Sequence, residues 1–185
     1  MPFLSRAEPD YALCGLNCCL CPRFHTDGPS RCPGCGGPGF EDKHPSCAVM
    51  GCGIRHGCIE YCFRCPEYPC ARYKAPSERD SFVSYVKVLP HFREAQEDLD
   101  QYLKELKEKF NYLKLLIDKY NDGKSKTFYC VVVNNMDYRD LCTVMEEIRF
   151  NEELNGMEGK LRAKEATQLL KQRAEERGVV CILRK

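Results

Sequence analysis

No stretch of this chain approaches the eighteen consecutive apolar residues of a membrane-spanning helix, and its N-terminus has neither the apolar segment nor the small-residue cleavage site of a secretory leader. Neither a membrane protein nor an exported one is expected, and the sequence reads as cytoplasmic. Charge of one sign is missing as well. The 28 Lys and Arg against 27 Asp and Glu leave +1, so no long-range field steers nucleic acid or an acidic membrane toward the protein. The last absence concerns packing: between residues 14 and 70 no apolar run or helical stripe is long enough to build a core. Something other than hydrophobic burial must hold that half.

What that half has instead is cysteine. Of the 15 cysteines in the chain, twelve fall between Cys14 and Cys70, with most of the proline and glycine. In order they read Cys14-x3-Cys18-Cys19-x-Cys21, Cys32-x2-Cys35, Cys47-x4-Cys52, Cys58, then Cys62-x2-Cys65-x4-Cys70. The repeated C-x2-C spacing lets two thiolates from one tight turn bind a single tetrahedral ion, while backbone N–H groups point at the sulfurs and offset their charge. Cys32-Pro33-Gly34-Cys35-Gly36 is the sharpest instance and has the form of a zinc knuckle, with Gly36 free to take the positive φ needed just after the second ligand.

A disulfide framework would need an oxidising compartment, which the missing leader argues against. Iron–sulfur is the stronger rival, because Cys14-x3-Cys18-x2-Cys21 has the spacing of radical S-adenosylmethionine enzymes and Cys62-x2-Cys65-Pro66 echoes part of a ferredoxin run. Neither echo is complete, and the residues after Cys70 do not alternate strands with helices as a barrel would. The expected ligands are Cys14, Cys18, Cys21, Cys32, Cys35, Cys47, Cys52, Cys62, Cys65 and Cys70, with Cys58 as an extra, around two to three zinc ions. Cys18 and Cys19 are adjacent, so their side chains diverge and both binding one ion is awkward. His25, His44 and His56 are reserve ligands, each more simply read as a solvated loop residue.

Near residue 75 the chain changes character, which divides it into a metal-binding module, 1–75, and a mainly helical domain, 76–185. The fold class expected is a small irregular cysteine-rich module packed on helices. Ser77-Glu78-Arg79-Asp80 looks like an N-cap before Phe82, Val83, Val86 and Leu89 at helical spacing, with Pro90 ending or kinking that helix. From Leu99 the apolar positions Leu103, Leu106, Phe110, Leu113, Ile117 and Tyr120 follow in steps of four and three, predicting one amphipathic helix over 92–120 that Asn121-Asp122-Gly123 stops. Such a stripe serves an intramolecular helical hairpin or a coiled-coil dimer. Thr127 to Val133 fits either a buried strand or a buried helix capped by Ser125 or Thr127. Further helices are marked by Leu141, Val144, Met145 and Ile148, and by Leu161, Ala166, Leu169, Leu170 and Ala174, with Arg177-Gly178 as a stop. Val179 to Leu183 then reads as a short C-terminal strand, and Asp10 to Leu13 is the one β-prone stretch left to pair with it.

Taken together, the cysteine phrases resemble those of a bacterial and archaeal family, domain-of-unknown-function family 3795. Tyr11-Ala12-Leu13-Cys14-Gly15-Leu16-Asn17-Cys18-Cys19-Leu20-Cys21-Pro22 is similar to that family's first phrase and Cys62-Phe63-Arg64-Cys65-Pro66-Glu67-Tyr68-Pro69-Cys70 to its last. Cys32-Pro33-Gly34-Cys35 matches its knuckle, and Cys47, Cys52 and His56-Gly57 fall where it has two cysteines and a Lys-Gly. Cys19 and Cys58 depart from the pattern. Tyr120-Asn121-Asp122-Gly123 with Ser125 to Cys130 is similar to the C-terminal region of longer members, which implies a helix rather than a strand over 127–135. The resemblance implies metal binding and no established activity.

For function, the sequence favours a structural zinc module acting in protein binding or as an adaptor, ahead of an iron–sulfur redox protein and of a metal-dependent enzyme. No H-E-x-x-H is present, nor an H-x-E with a paired P-C-x-x-C. Residues 1–75 carry eight basic and seven acidic side chains. Each ion held by four thiolates adds about −2, so two sites bring the module to roughly −3, the wrong sign for a phosphate backbone. A protein partner is expected before nucleic acid, no membrane, and a monomer or a helix-mediated dimer.

Overall fold

The computed structural model describes residues 4–44, 46–74 and 77–185, so the expected boundary at residues 75 and 76 lies outside the described residues. Three short helices punctuate the cysteine-rich half, α1 (Phe40–Lys43), α2 (Ala48–Arg55) and α3 (Ala71–Lys74). Six follow: α4 (Val88–Glu97), α5 (Leu99–Lys119), α6 (Lys126–Asn135), α7 (Tyr138–Phe150), α8 (Glu152–Gly156) and α9 (Gly159–Glu176). No strand occurs among the described residues, whose one β-type contact is an isolated bridge between Tyr11 and Asn17. No described helix is long and apolar enough to cross a membrane.

The expected helix over 92–120 is two helices. Asp98 takes an extended conformation and its Oδ1 accepts the Gln101 N–H at 3.0 Å, capping α5 while its own N–H closes α4 on Glu94. An aspartate competes with the helix ladder in this way wherever the chain can turn, and apolar spacing carries no trace of it. The 21 residues of α5 span about 32 Å at the helical rise. Their apolar face packs on α4, α6 and α7 of the same chain. The burial is deepest along Tyr102, Leu106, Lys109, Leu113 and Leu116, a stripe rotated from the one the leucines suggest, with Leu99, Leu103, Phe110 and Ile117 half-buried beside it.

Two other expectations fail nearby. The segment after Ser77 is bent rather than helical, and Phe82 lies exposed with the Arg23 guanidinium 5.3 Å over its ring. Helix α4 starts at Val88 instead, so Pro90 sits in its first turn, where the N–H it lacks would have no helical partner. The 127–135 stretch is helical, as the family resemblance implied, and its residues Tyr129 to Asn135 are all buried.

The C-terminal segment forms no strand and does not pair with residues 10–13. Those backbone groups are already used: Cys19 N–H donates to the Asp10 carbonyl, Ala12 N–H to Leu16, and Cys62 N–H to Leu13. The tail packs on the helices instead. Val179 N–H donates to Ala174, and the Asn135 amide donates to the Val180 carbonyl at 2.8 Å. Arg184 then closes on Asp80, giving its backbone N–H, Nε and Nη2 to the carboxylate, while Asp80 N–H donates to the Arg184 carbonyl. Burial alone would raise the Asp80 pKa; the Arg184 guanidinium and the Tyr85 N–H overcome it and hold the carboxyl below its usual value. This stabilisation is present above the ordinary carboxylate range and is lost as pH falls through the lowered folded pKa. Asp80→Asn should cost about 2 kcal/mol in chemical denaturation and expose 179–185 to carboxypeptidase; an unchanged midpoint would show the clamp to be incidental.

The two halves share one core. Tyr11, Cys19, Leu20, Phe24 and Tyr61 are buried together with Phe92, Tyr102, Leu113 and the inner faces of α6, α7 and α9. A second, smaller cluster of Ala12, Leu13, Cys35, Phe40 and Met50 underlies the loops between them.

Candidate metal centre

The first cysteine phrase is a tight turn resting on α4. Gly15 adopts φ +88° and donates to the Ala12 carbonyl, and a Cβ there would meet the Phe92 ring at 2.6 Å. Only glycine allows the turn both its sign of φ and its approach to the helix. The knuckle docks beside it: Cys35 N–H donates to the Pro9 carbonyl at 2.8 Å, and Gly36 has φ +74°, as its place after Cys35 requires.

Arg6 ties these pieces together. Its guanidinium is buried and donates to the carbonyls of Tyr11 (2.7 Å), Cys35 (3.4 Å) and Glu60 (2.9 Å), pairs with the Glu60 carboxylate at 3.1 Å, and lies 5.2 Å over the Tyr61 ring. Sequence reasoning counted Arg6 only as a charge.

All fifteen cysteines are free thiols. Cys14, Cys18, Cys35 and Cys47 form one neighbourhood. Burial first, and then Cys35, Cys47 and Cys62, push the Cys14 thiol up to about 12; burial, Cys35, Cys14 and Cys32 push Cys18 well above its usual value. Burial also raises Cys35, against the pull of Arg6. A second neighbourhood is a small cavity of about 40 Å³ lined by Cys52, Cys62, Cys65 and Cys70, with His56 and Glu67 at its side. There burial, then Cys52 and Cys70, raise Cys62 to about 11, with a hydrogen bond from Tyr73 opposing them. Cys21 and Cys32 are a third set of neighbours: burial raises Cys21, and Cys32 adds to it.

Backbone donors face several of these sulfurs. The N–H of Leu16 is directed at Cys14, that of Leu13 at Cys35, and those of Arg23 and Phe24 at Cys21; each lowers its thiol's pKa. Met50 N–H donates to the Cys47 sulfur at 3.5 Å, so that Cys47 caps α2.

Of the remaining candidates only His56 lies beside these thiols among the described residues. Cys19 turns into the helical core, away from Cys18. Cys58 is exposed in a left-handed turn, φ 58°. His25 Nε2 lies 2.7 Å from the Cys19 carbonyl, and His44 stacks on Phe40. His56 is the histidine nearest a sulfur, with Nδ1 3.6 Å from Cys52 Sγ and Nε2 3.3 Å from Glu67.

As these side chains are placed, no group of three or more His, Cys, Asp or Glu among the described residues stands ready to hold a metal ion. The chemistry of the donors nevertheless fits one. They are soft thiols, gathered and mostly half-buried, whose ionised forms would repel one another, and the main charges acting on Cys14, Cys18 and Cys35 are other thiols, with Arg6 opposing them at Cys35. A bound divalent cation would supply the missing compensation. No family model matches this chain, and no curated protein or solved structure matches it either.

Proposed function

We propose that this chain is a zinc-binding protein of the cytoplasm, in which residues 1–75 are a structural metal module for binding another protein. The observation that carries the reading is the cavity lined by Cys52, Cys62, Cys65 and Cys70, four thiols from helix α2, the turn at Cys62 to Cys65 and the residue before α3. Cys14, Cys18, Cys35 and Cys47 would hold a second ion, and Cys21 with Cys32 are available to a third. Zinc bound by four thiolates is a closed tetrahedral cross-link, which needs no exchangeable water and no general base. The backbone N–H groups facing Cys14, Cys21, Cys35 and Cys47 support the same reading, since such donors stabilise thiolates around an ion.

Metal analysis of anaerobically purified protein, combined with an absorption spectrum, tests it. About two to three zinc ions per chain and no visible band are expected; iron with a visible band would replace the proposal by an iron–sulfur redox protein. Cys18→Ser, Cys35→Ser and Cys65→Ser should each lower the metal content, whereas Cys142→Ser and Cys181→Ser should not. Cys130→Ser is the sharper control, because the Cys130 thiol on α6 is near enough to Cys21 to be raised by it, after burial. Loss of metal in Cys130→Ser would extend the centre into the helices.

A further inference from the structure

The helical half contains a second polar site in which no cysteine takes part. The turn before Cys18, α4, α5 and the end of α6 enclose a cavity of about 410 Å³. Asn17, His91, Lys109 and Asn134 form its inner wall, each with less than a tenth of its surface exposed. Polar groups buried so deeply are retained only where each finds a partner. Most do. Tyr102 Oη donates to Asn17 Oδ1 (2.8 Å), the Asn17 amide donates to Asn134 Oδ1 (3.1 Å) and faces His91 Nδ1 (3.4 Å), and the Asn134 amide donates to Asn135.

Lys109 does not. Its Nζ donates to the Met136 carbonyl at 2.6 Å, and among the described residues it forms no other hydrogen bond and no ion pair. Lys109 lines the cavity, and two of its three N–H bonds have no acceptor among the described residues. An ammonium that keeps this position on α5, where the stripe otherwise carries Tyr102, Leu106, Leu113 and Leu116, is costly unless an anion answers it. At the outer edge the charges are arranged differently. Lys87 pairs with Asp137 and Arg177 with Asp140, which cancels four of them; among the described residues Glu94 and Glu105 form no ion pair, although their charges act on Lys109, and Arg139 lines the same cavity unpaired. Glu94 is exposed there, and among the described residues Glu105 accepts only the Gln101 amide.

We propose that this cavity binds a free α-amino acid, its carboxylate on Lys109 and its ammonium toward Glu94 and Glu105. A simple carboxylate would satisfy the floor but meet two like charges at the mouth, and a dianion would meet them more strongly. A zwitterion satisfies both ends. Burial lowers the Lys109 amine to about 8, with Glu94 and Asp137 opposing that shift, and a carboxylate against Nζ would raise it again.

The test is a thermal-shift and calorimetric screen of the metal-replete full chain against the twenty L-amino acids at millimolar concentration, with acetate and methylammonium as half-ligands. At least one amino acid should bind saturably, and more tightly than either half-ligand. Lys109→Met should weaken it about thirtyfold or more. Glu94→Gln, at an exposed position that does not threaten the fold, should weaken it about threefold. Equal binding of acetate and the best amino acid would overturn the zwitterion, and no binding by any of the twenty to the wild-type chain would overturn the site. Both outcomes are read on wild-type protein, so they hold even where Lys109→Met fails to fold, and neither depends on the zinc reading.

Discussion

Removing the metal with a strong chelator should abolish protease resistance across residues 26–58 while the helices from α4 onward persist in circular dichroism. Only Cys35, Phe40 and Met50 are buried from this stretch into the smaller cluster, on Ala12 and Leu13. The rest of its described residues are turns and the short helices α1 and α2, whose backbone ordering costs roughly 1–2 kcal/mol per residue. A few side chains at about 1.5–3 kcal/mol each do not offset that. A structural zinc ion would contribute about 10 kcal/mol or more of folding free energy, enough to supply the missing stabilisation. The flanking segments should behave differently, because Tyr11, Leu20, Phe24 and Tyr61 are buried in the helical core and remain so without the ion. Limited proteolysis mapped by mass spectrometry reads both regions at once. Unchanged resistance across 26–58 after complete metal loss would mean that the loops hold themselves, and the proposed role of the cysteines would fall with it.

The sequence was most legible where one periodic signal is decided by burial. The leucine and aromatic spacing of α5, α7 and α9 located those helices because each lays one face on a core. It was least legible where a single polar side chain decides the backbone. Asp98 splits α4 from α5 through one hydrogen bond, and Pro90 begins a helix that its chemistry equally allows to end. The spacing of the cysteines named the expected ligands without sorting them into sites; the fold places Cys52, Cys62, Cys65 and Cys70 around one cavity and buries Cys19 in the helical core. It carried nothing about Arg6, whose importance lies in three carbonyls far apart in sequence. Nor did it carry the buried site around Lys109. In a list of apolar positions that lysine reads as solvent-facing, and only the rotation of α5 between two layers buries it. The one local signal was Asn134-Asn135 closing an otherwise apolar helix, where two amides have no structural purpose unless something polar faces them.

The absence of an apolar core in residues 14–70 also set up the division into a metal module packed on a helical domain, and Phe92 is the residue that tests how far the two are independent. This α4 side chain is fully buried, and its ring meets Tyr11 (6.4 Å between centroids), Phe63 (5.3 Å), Tyr68 (5.7 Å) and Tyr73 (5.3 Å), all from the cysteine-rich half. Gly15 gives way to the same ring. Phe92→Ala should therefore cost about 3–5 kcal/mol, the range for deleting a buried aromatic, and should do so in a single transition that includes both halves. It should also speed metal release to a chelator, although no ligand is touched, because the turns carrying Cys14 and the Cys62–Cys70 segment lean on that ring. Gly15→Ala approaches the same seam from the other side and should move stability and release rate together, through the left-handed φ of +88° as well as the collision. If Phe92→Ala lowers the unfolding midpoint of the helices but leaves the metal release rate as it was, the aromatic seam is a contact between independent units, and the cysteine module is stabilised by its ions alone.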